Sequence, residues 1–205
     1  MKIRTIAVLA IMPAFGRDLP SITLRVVNEA QVDERLLNEA RKEASGIVNR
    51  AGVGLIWLDC TGDPEACQRE QGRADFQFRI TTQRRAWTSQ ENLGFTEHAG
   101  SNGSAGVNYP AVLKLAEKLN GFAHGITPVA VYAPGFLGAA IAHEIGHLIL
   151  GAQAHHREGV MCAEWGREQF ELIKLGGLNF ARPQAKLFQM EVSRRVSGGN
   201  TPLRP

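Results

Sequence analysis

Three short stretches in the first half of the chain predict β-strands, at 21–27, 54–58 and 75–81. The first and the third alternate apolar and polar residues, a period of two that is typical of strands that bury one face. Between the first two stretches, apolar residues recur at helical spacing from Asp33, which can cap a helix, to Gly52. They predict an amphipathic helix. The order strand, helix, strand, strand indicates an α/β or α+β fold with the helix packed on the sheet.

The middle of the chain has a weaker pattern. Residues 82–105 are polar and rich in glycine, so we expect a long loop there. Residues 106–109 predict a short strand, and residues 129–132 predict a further strand. The apolar positions within 112–119 fit either a helix or an irregular extended segment, and their spacing does not separate the two.

The last third of the chain predicts helices. A run that starts near Leu137 is apolar nearly all round, which is typical of a buried helix, and Gly151 permits the turn that ends it. Residues 165–175 predict an amphipathic helix. Pro183 opens a final helix, and the glycine- and proline-rich residues 198–205 predict a flexible tail.

The composition indicates one globular domain, which we place at 17–197, because the chain has 205 residues, 44% of them hydrophobic and 21% charged. The net charge of +3 is small and the basic residues are scattered, so we expect no nucleic-acid partner. No apolar run looks long enough to cross a bilayer, and we expect no stable membrane insertion. We also expect a monomer.

The N-terminus has the pattern of a secretion signal. Segment 1–16 begins with basic residues, continues with an almost wholly apolar stretch at 5–15, and has small residues at Ala14 and Gly16, where a signal peptidase reads. We therefore predict a signal peptide at 1–16 and a secreted or periplasmic protein. The alternative interpretation of the same residues is a first β-strand.

The three cysteines add one expectation about covalent structure. Cys60 and Cys67 flank a turn-rich loop, so a local disulfide between them is reasonable in an exported protein. Cys162 is then left over, either as a buried structural thiol or as a weak modulator near the site described next. No pair of cysteines has zinc-finger spacing.

The strongest chemical signal is the sequence His-Glu-Ile-Gly-His at 143–147, within the predicted buried helix. Positions i and i+4 share one helix face, so His143 and His147 can direct ring nitrogens at one metal ion. Glu144 lies about 100° round the helix from His143. It is thus beside the metal rather than bound to it, which is the position of a general base for water.

A catalytic zinc site needs a third protein ligand and one open position. Gly151 allows a sharp turn, and four extended residues span at most about 13 Å, enough to bring His155 back onto the helix face. We therefore favour His155. The neighbouring histidine and three later glutamates stay open as alternatives: His156, Glu158, Glu164 and Glu168.

Together these residues resemble the metzincin clan of zinc endopeptidases. The clan pattern is H-E-x-x-H-x-x-G-x-x-H, followed by a turn that carries a methionine beneath the metal. Residues 143–147, Gly151, His155 and, six positions later, Met161 are similar to it. Each gap around the glycine is one residue longer in this chain.

The chain is more similar to a group of uncharacterised, mostly bacterial metzincin-like proteins. Their pattern is H-E-x-G-H-L-L-L-G-x-x-x-H-S-x-x-G-x-M, with a tryptophan a few residues later that Trp165 matches. The third histidine of that pattern falls at His155, and its serine falls at His156. The paired cysteines and the Leu-Gly-Phe sequence at 93–95 are also similar. The resemblance is specific from His143 to Trp165 and faint over most of the rest.

The resemblance implies an α+β fold of the zincin type. Its parts would be a twisted mixed sheet with a backing helix, a buried active-site helix and C-terminal helices. Metzincins bind a peptide or protein substrate as an extra strand along a sheet edge, and residues 106–109 are the candidate edge strand here.

The resemblance also implies the roles of the site residues. One catalytic Zn²⁺ would be held by His143, His147 and His155 above Met161. Glu144 would act as general base for a metal-activated water that hydrolyses a peptide bond. The alternative function is a catalytically inactive, zinc-stabilised peptide-binding domain.

Overall fold

The computed structural model describes, by number, residues 19–62, 67, 72–82, 93–97, 103–122 and 128–198. The predicted signal peptide at 1–16 lies outside them, as does the predicted tail at 198–205 apart from its first residue. The described residues form a mixed structure of a mostly parallel five-stranded sheet and five α-helices, in agreement with the expected α+β class.

Most of the predicted elements are confirmed, and the undecided segment 112–119 is helical. The strands are β1 (Ser21–Asn28), β2 (Gly54–Asp59), β3 (Asp75–Thr81), β4 (Gly94–Thr96) and β5 (Ser104–Asn108). The α-helices are α1 (Glu34–Arg50), α2 (Tyr109–Phe122), α3 (Ala133–Leu150), α4 (Arg167–Lys174) and α5 (Arg182–Val196).

Helix α1 begins where the sequence predicts. The Asp33 carboxylate accepts hydrogen bonds from the backbone N–H groups of Arg35 and Leu36, which satisfies two of the free donors at the helix start. The apolar face of α1 then packs against α3. The two helices approach closely because residue 138 is glycine: a Cβ on Gly138 would lie 2.6 Å from the carbonyl oxygen of Ala40.

The sheet order is β2-β1-β3-β5-β4. The first four strands in this order run parallel, and β4 pairs antiparallel with β5. Strand β5 therefore lies inside the sheet, and β4 forms the edge. The prediction that residues 106–109 form an edge strand is wrong, as is the prediction of an uninterrupted loop over 82–105. A strand of three residues that includes a glycine has too little alternation to show in a sequence pattern.

Residues 129–132 do not form the predicted strand. Val129–Val131 make a turn of 3-10 helix, in which the Tyr132 N–H bonds to the Val129 carbonyl at 2.8 Å. The side chain of Val131 is 62% exposed. This segment pairs with no strand among the described residues. Its apolar composition alone was therefore not enough to predict a strand.

Helix α3 is the centre of the core. Of its 18 residues, 14 are buried, among them Phe136, Ile141 and Leu148. By length and composition alone this helix could cross a membrane, contrary to the expectation that no run is long enough. However, 78% of it is buried inside the protein, as in the central helix of a globular domain. The prediction that this apolar helix is buried in the core is thus confirmed.

The expected disulfide between Cys60 and Cys67 is present, with the two Cα atoms 5.8 Å apart. Arg25 on β1 ties this region to the sheet. Its buried guanidinium donates to the Cys67 carbonyl at 3.3 Å and to an oxygen of Asp75 on β3 at 2.9 Å.

Candidate metal centre and catalytic cleft

Three histidine rings converge at the C-terminal half of α3. His143 and His147 lie on successive turns of the helix, and His155 comes from the loop that follows Gly151. The Nε2 atom of His147 is 3.0 Å from Nε2 of His143 and 3.2 Å from Nε2 of His155. Among the described residues this is the one group of three metal-ligand side chains found within 4.8 Å of one another.

The opposite ring nitrogens fix the state of two of these rings. The Nδ1 atom of His143 lies 2.7 Å from the Val160 carbonyl oxygen, and Nδ1 of His147 lies 3.1 Å from the Gly151 carbonyl oxygen. A carbonyl oxygen only accepts hydrogen bonds, so each Nδ1 donates and carries the ring proton. The Nε2 atoms of both rings therefore present lone pairs to the point where the three rings meet.

This arrangement fits a divalent metal ion. Facing lone pairs repel one another unless a cation or a shared proton lies between them. Burial lowers the pKa of His143 to about 4 and also lowers the pKa of His147, which disfavours the proton. Tetrahedral zinc with Zn–N bonds of 2.0–2.1 Å separates its ligand nitrogens by roughly 3.3 Å, close to the separations found here. Backbone partners on the outer nitrogens are also typical of metal-binding histidines.

The loop after α3 determines the position of the third histidine, His155. Gly151 ends the helix with φ of +98°, a backbone conformation that favours glycine. The Ala154 carbonyl then accepts a hydrogen bond of 2.6 Å from Nε2 of Gln184, a buried residue on α5. The loop is thereby anchored one residue before His155, whose exposed ring leaves the outer side of the cluster open to solvent.

The four alternative ligands lie outside the histidine cluster. The side chain of His156 is turned to its own loop, where its Nδ1 accepts the backbone N–H of Glu158 at 3.3 Å. The three glutamates proposed as alternatives are all exposed: Glu158, Glu164 and Glu168.

Met161 lies in a tight turn that packs under the helix. The turn is closed by the His156 N–H, which donates to the Met161 carbonyl at 2.9 Å. The Met161 side chain is fully buried, and its sulfur rests against the backbone of Gly146, where any Cβ would overlap it. The glycine between the two α3 histidines is therefore required by the methionine that packs against it.

The same turn holds His143 in place. The Val160 carbonyl that accepts from His143 also accepts the indole N–H of Trp165 at 3.3 Å. Trp165 is 9% exposed, and its ring lies 6.0 Å from the His143 ring, centroid to centroid. It is thus both a buried residue of the core and a support for a candidate metal ligand.

Glu144 lies beside the histidines and is 6% exposed. The Thr96 hydroxyl on β4 donates to its Oε2 atom at 3.0 Å. Its other oxygen, Oε1, faces Gly94, where an added Cβ would lie 2.5 Å away. Burial raises the pKa of Glu144 to about 8, against the smaller lowering by the Thr96 hydrogen bond. A cation held by the histidines would lower this pKa again.

These groups line a cleft of about 320 Å³ between strand β4 and the loop after α3. The walls near the histidines carry small side chains: Ala140, Ala152 and Ala163. Cys162 also lines the cleft and is half-buried. Its sulfur contacts the Glu164 carbonyl oxygen at 3.2 Å.

Three supporting groups were not predicted from the sequence: the hydroxyl of Thr96, the carbonyl of Val160 and the amide of Gln184. None has a local signal, because each meets its partner across a long sequence separation or through the backbone. No protein-family model matches the chain, and no curated protein matches it. The functional evidence therefore lies in the geometry of these residues.

Proposed function

We propose that the protein is a zinc-dependent endopeptidase of the metzincin type. The observation that carries the proposal is the convergence of three histidine Nε2 atoms beside a buried glutamate, in an open cleft. Three neutral nitrogen ligands with one open side are the donor set of a catalytic zinc site. Zinc is preferred over magnesium or calcium, since those ions select oxygen ligands.

His143, His147 and His155 would hold the ion. When bound, zinc acts as a Lewis acid that polarises a peptide carbonyl and activates water. Glu144 takes the proton from the attacking water and later passes it to the leaving amine, so it serves first as base and then as acid. Burial raises the pKa of Glu144 and a cation held by the histidines would lower it, so the two effects oppose each other at the carboxylate that has to accept and release the proton.

The substrate would lie along β4 as an additional strand. In an antiparallel pair, adjacent residues direct their backbone groups alternately towards and away from the partner. The Leu93 carbonyl accepts from the Asn108 N–H, and the Glu97 N–H donates to the Ser104 carbonyl, both at 2.8 Å. By this alternation the backbone groups of Gly94 and Thr96 face the outer edge.

An extended peptide can pair with those backbone groups, which brings it to the cleft beside Glu144. The substrate is thus proposed to be a peptide or protein segment in extended conformation. We further propose that the protein is a monomer and that it is exported to a secreted or periplasmic location. The Cys60–Cys67 disulfide supports the proposed export.

The alternative is a zinc-stabilised peptide-binding domain without catalytic activity. Glu144 argues against it. A carboxylate buried beside the histidines costs stability, and a purely structural zinc site has no need of such a base and is closed by a fourth protein ligand. The described residues place no fourth ligand at the cluster.

Hydrolysis of casein or a quenched peptide library, with and without 1,10-phenanthroline, tests the proposal. We expect cleavage that the chelator abolishes and added zinc restores. Zinc analysis of the matched variants His155→Ala and His156→Ala tests the ligand set. We expect His155→Ala to lose zinc and His156→Ala to keep it; the reverse result would assign the third ligand to His156.

A further inference from the structure

Thr96 belongs to the edge strand through its backbone and contacts Glu144 through its side chain. Its backbone lies in the edge strand β4, and its hydroxyl donates to Oε2 of Glu144 at 3.0 Å. The two residues are 48 positions apart in sequence, so the fold alone brings them together. Thr96 is half-buried and lines the same cleft as the histidines.

The Glu144 carboxylate needs such a contact to be oriented. The terminal torsion of a glutamate side chain is broad, so the side chain's own preferences do not fix the plane of the carboxylate. Here the Thr96 hydroxyl holds Oε2, and the backbone of Gly94 limits the space beside Oε1. Helix α3 positions the stem of Glu144, and β4 positions its oxygens.

The same strand is the proposed docking edge for the substrate. A peptide that pairs with the outward backbone groups of Thr96 is therefore placed relative to the residue that orients the general base. Thr96 thus links the position of the scissile bond, through its backbone, to the position of the proton acceptor, through its hydroxyl.

We propose that Thr96 is a positioning residue, which orients the Glu144 carboxylate towards the attacking water through its hydroxyl. The inference rests on the proposed peptidase function. It assigns Thr96 no contact with the reacting atoms. The hydroxyl contributes to kcat, whereas the Thr96 backbone contributes to substrate binding and hence to KM.

The test compares Thr96→Val, which removes the hydroxyl and keeps the shape, with Thr96→Ser, which keeps the hydroxyl. Misplacing a catalytic group by about 1 Å can cost on the order of 100-fold in rate, so we expect Thr96→Val to lower kcat by roughly 10- to 100-fold. KM should stay unchanged, and Thr96→Ser should restore most of kcat. Thr23→Val, on β1 away from the cleft, is the matched control and should keep wild-type kinetics.

A second readout does not depend on turnover. Zinc content of Thr96→Val should equal that of the wild type, since the histidines are untouched. Its crystal structure should show the Glu144 carboxylate rotated or in several orientations. A carboxylate in the wild-type position would overturn the inference.

The outcomes also separate this inference from the proposed function. Full kcat in Thr96→Val, together with an inactive Glu144→Gln variant, would overturn the positioning role and leave the peptidase intact. A higher KM with an unchanged kcat in Thr96→Val would also overturn the positioning role, since that result assigns the hydroxyl to substrate binding. Absence of cleavage by the wild-type protein would overturn the peptidase proposal and this inference with it.

Discussion

Replacing Gly146 with alanine tests whether Met161 packs directly against helix α3 between His143 and His147. In most helix interiors this change stabilises a protein by about 0.5–1 kcal/mol, because glycine loses more backbone entropy on folding. At Gly146 the new methyl group would overlap the Met161 sulfur and lie 2.9 Å from its Cε and 3.1 Å from Cε1 of Phe180. All three atoms belong to buried side chains.

Overpacking of this kind costs about 1–3 kcal/mol, which exceeds the gain in helix propensity. We therefore expect Gly146→Ala to destabilise the fold by a net amount of about 1–2 kcal/mol. For a domain of this size, that loss lowers Tm by about 2–8 °C. Zinc affinity should fall as well, because displacement of Met161 disturbs the neighbouring Val160 carbonyl that holds His143.

Gly121 provides the matched control. It lies in α2, and an added Cβ there would meet none of the described residues within 4 Å. Gly121→Ala should therefore keep or raise Tm. Thermal unfolding of both variants with and without zinc gives the comparison. A Gly146→Ala protein as stable as Gly121→Ala would refute the contact between Gly146 and Met161.

Two further predictions concern the histidines. Burial lowers the pKa of His143 from its ordinary 6.5 to about 4, so the unfolded chain takes up this proton first, and this group destabilises the metal-free protein as the pH falls from about 6.5 towards 4. The raised pKa of Glu144 acts in the opposite sense over the same pH range, because there the folded protein takes up the proton first. Melts with chelator at pH 7 and 5 should therefore show the wild type losing stability relative to His143→Asn, and an equal change in both proteins would contradict this cause. Trp165→Phe keeps an aromatic ring but removes the donor to Val160, so zinc affinity should fall by about 10-fold in a chelator competition; unchanged affinity would exclude Trp165 as a support.

The local part of the site could be predicted from sequence, because the α-helix itself enforces it. The spacing of His143 and His147 and the place of Glu144 beside them follow from helix geometry alone. Gly151 marks the turn that returns the chain, so His155 could be favoured, although not separated from His156 by spacing. Strands β1 and β3 and helix α1 show their periods clearly for the same local reason.

The non-local part could not be predicted. Strand β4 is three residues long and exists through its pairing with β5, so nothing within 94–96 announces it. The error over the sheet edge follows from this, since the order of strands depends on contacts far apart in sequence. The hydrogen bond from Thr96 to Glu144 spans 48 residues and has the same origin.

The Glu144→Gln variant, assayed for bound zinc and for peptide hydrolysis, separates the metal site from the catalytic base. Glutamine has the shape of glutamate and can still accept the Thr96 hydrogen bond, but it cannot take a proton from water. We expect one zinc per chain in both proteins and cleavage by the wild type alone. Cleavage by Glu144→Gln at the wild-type rate, or a wild-type protein that binds no zinc, would contradict this expectation.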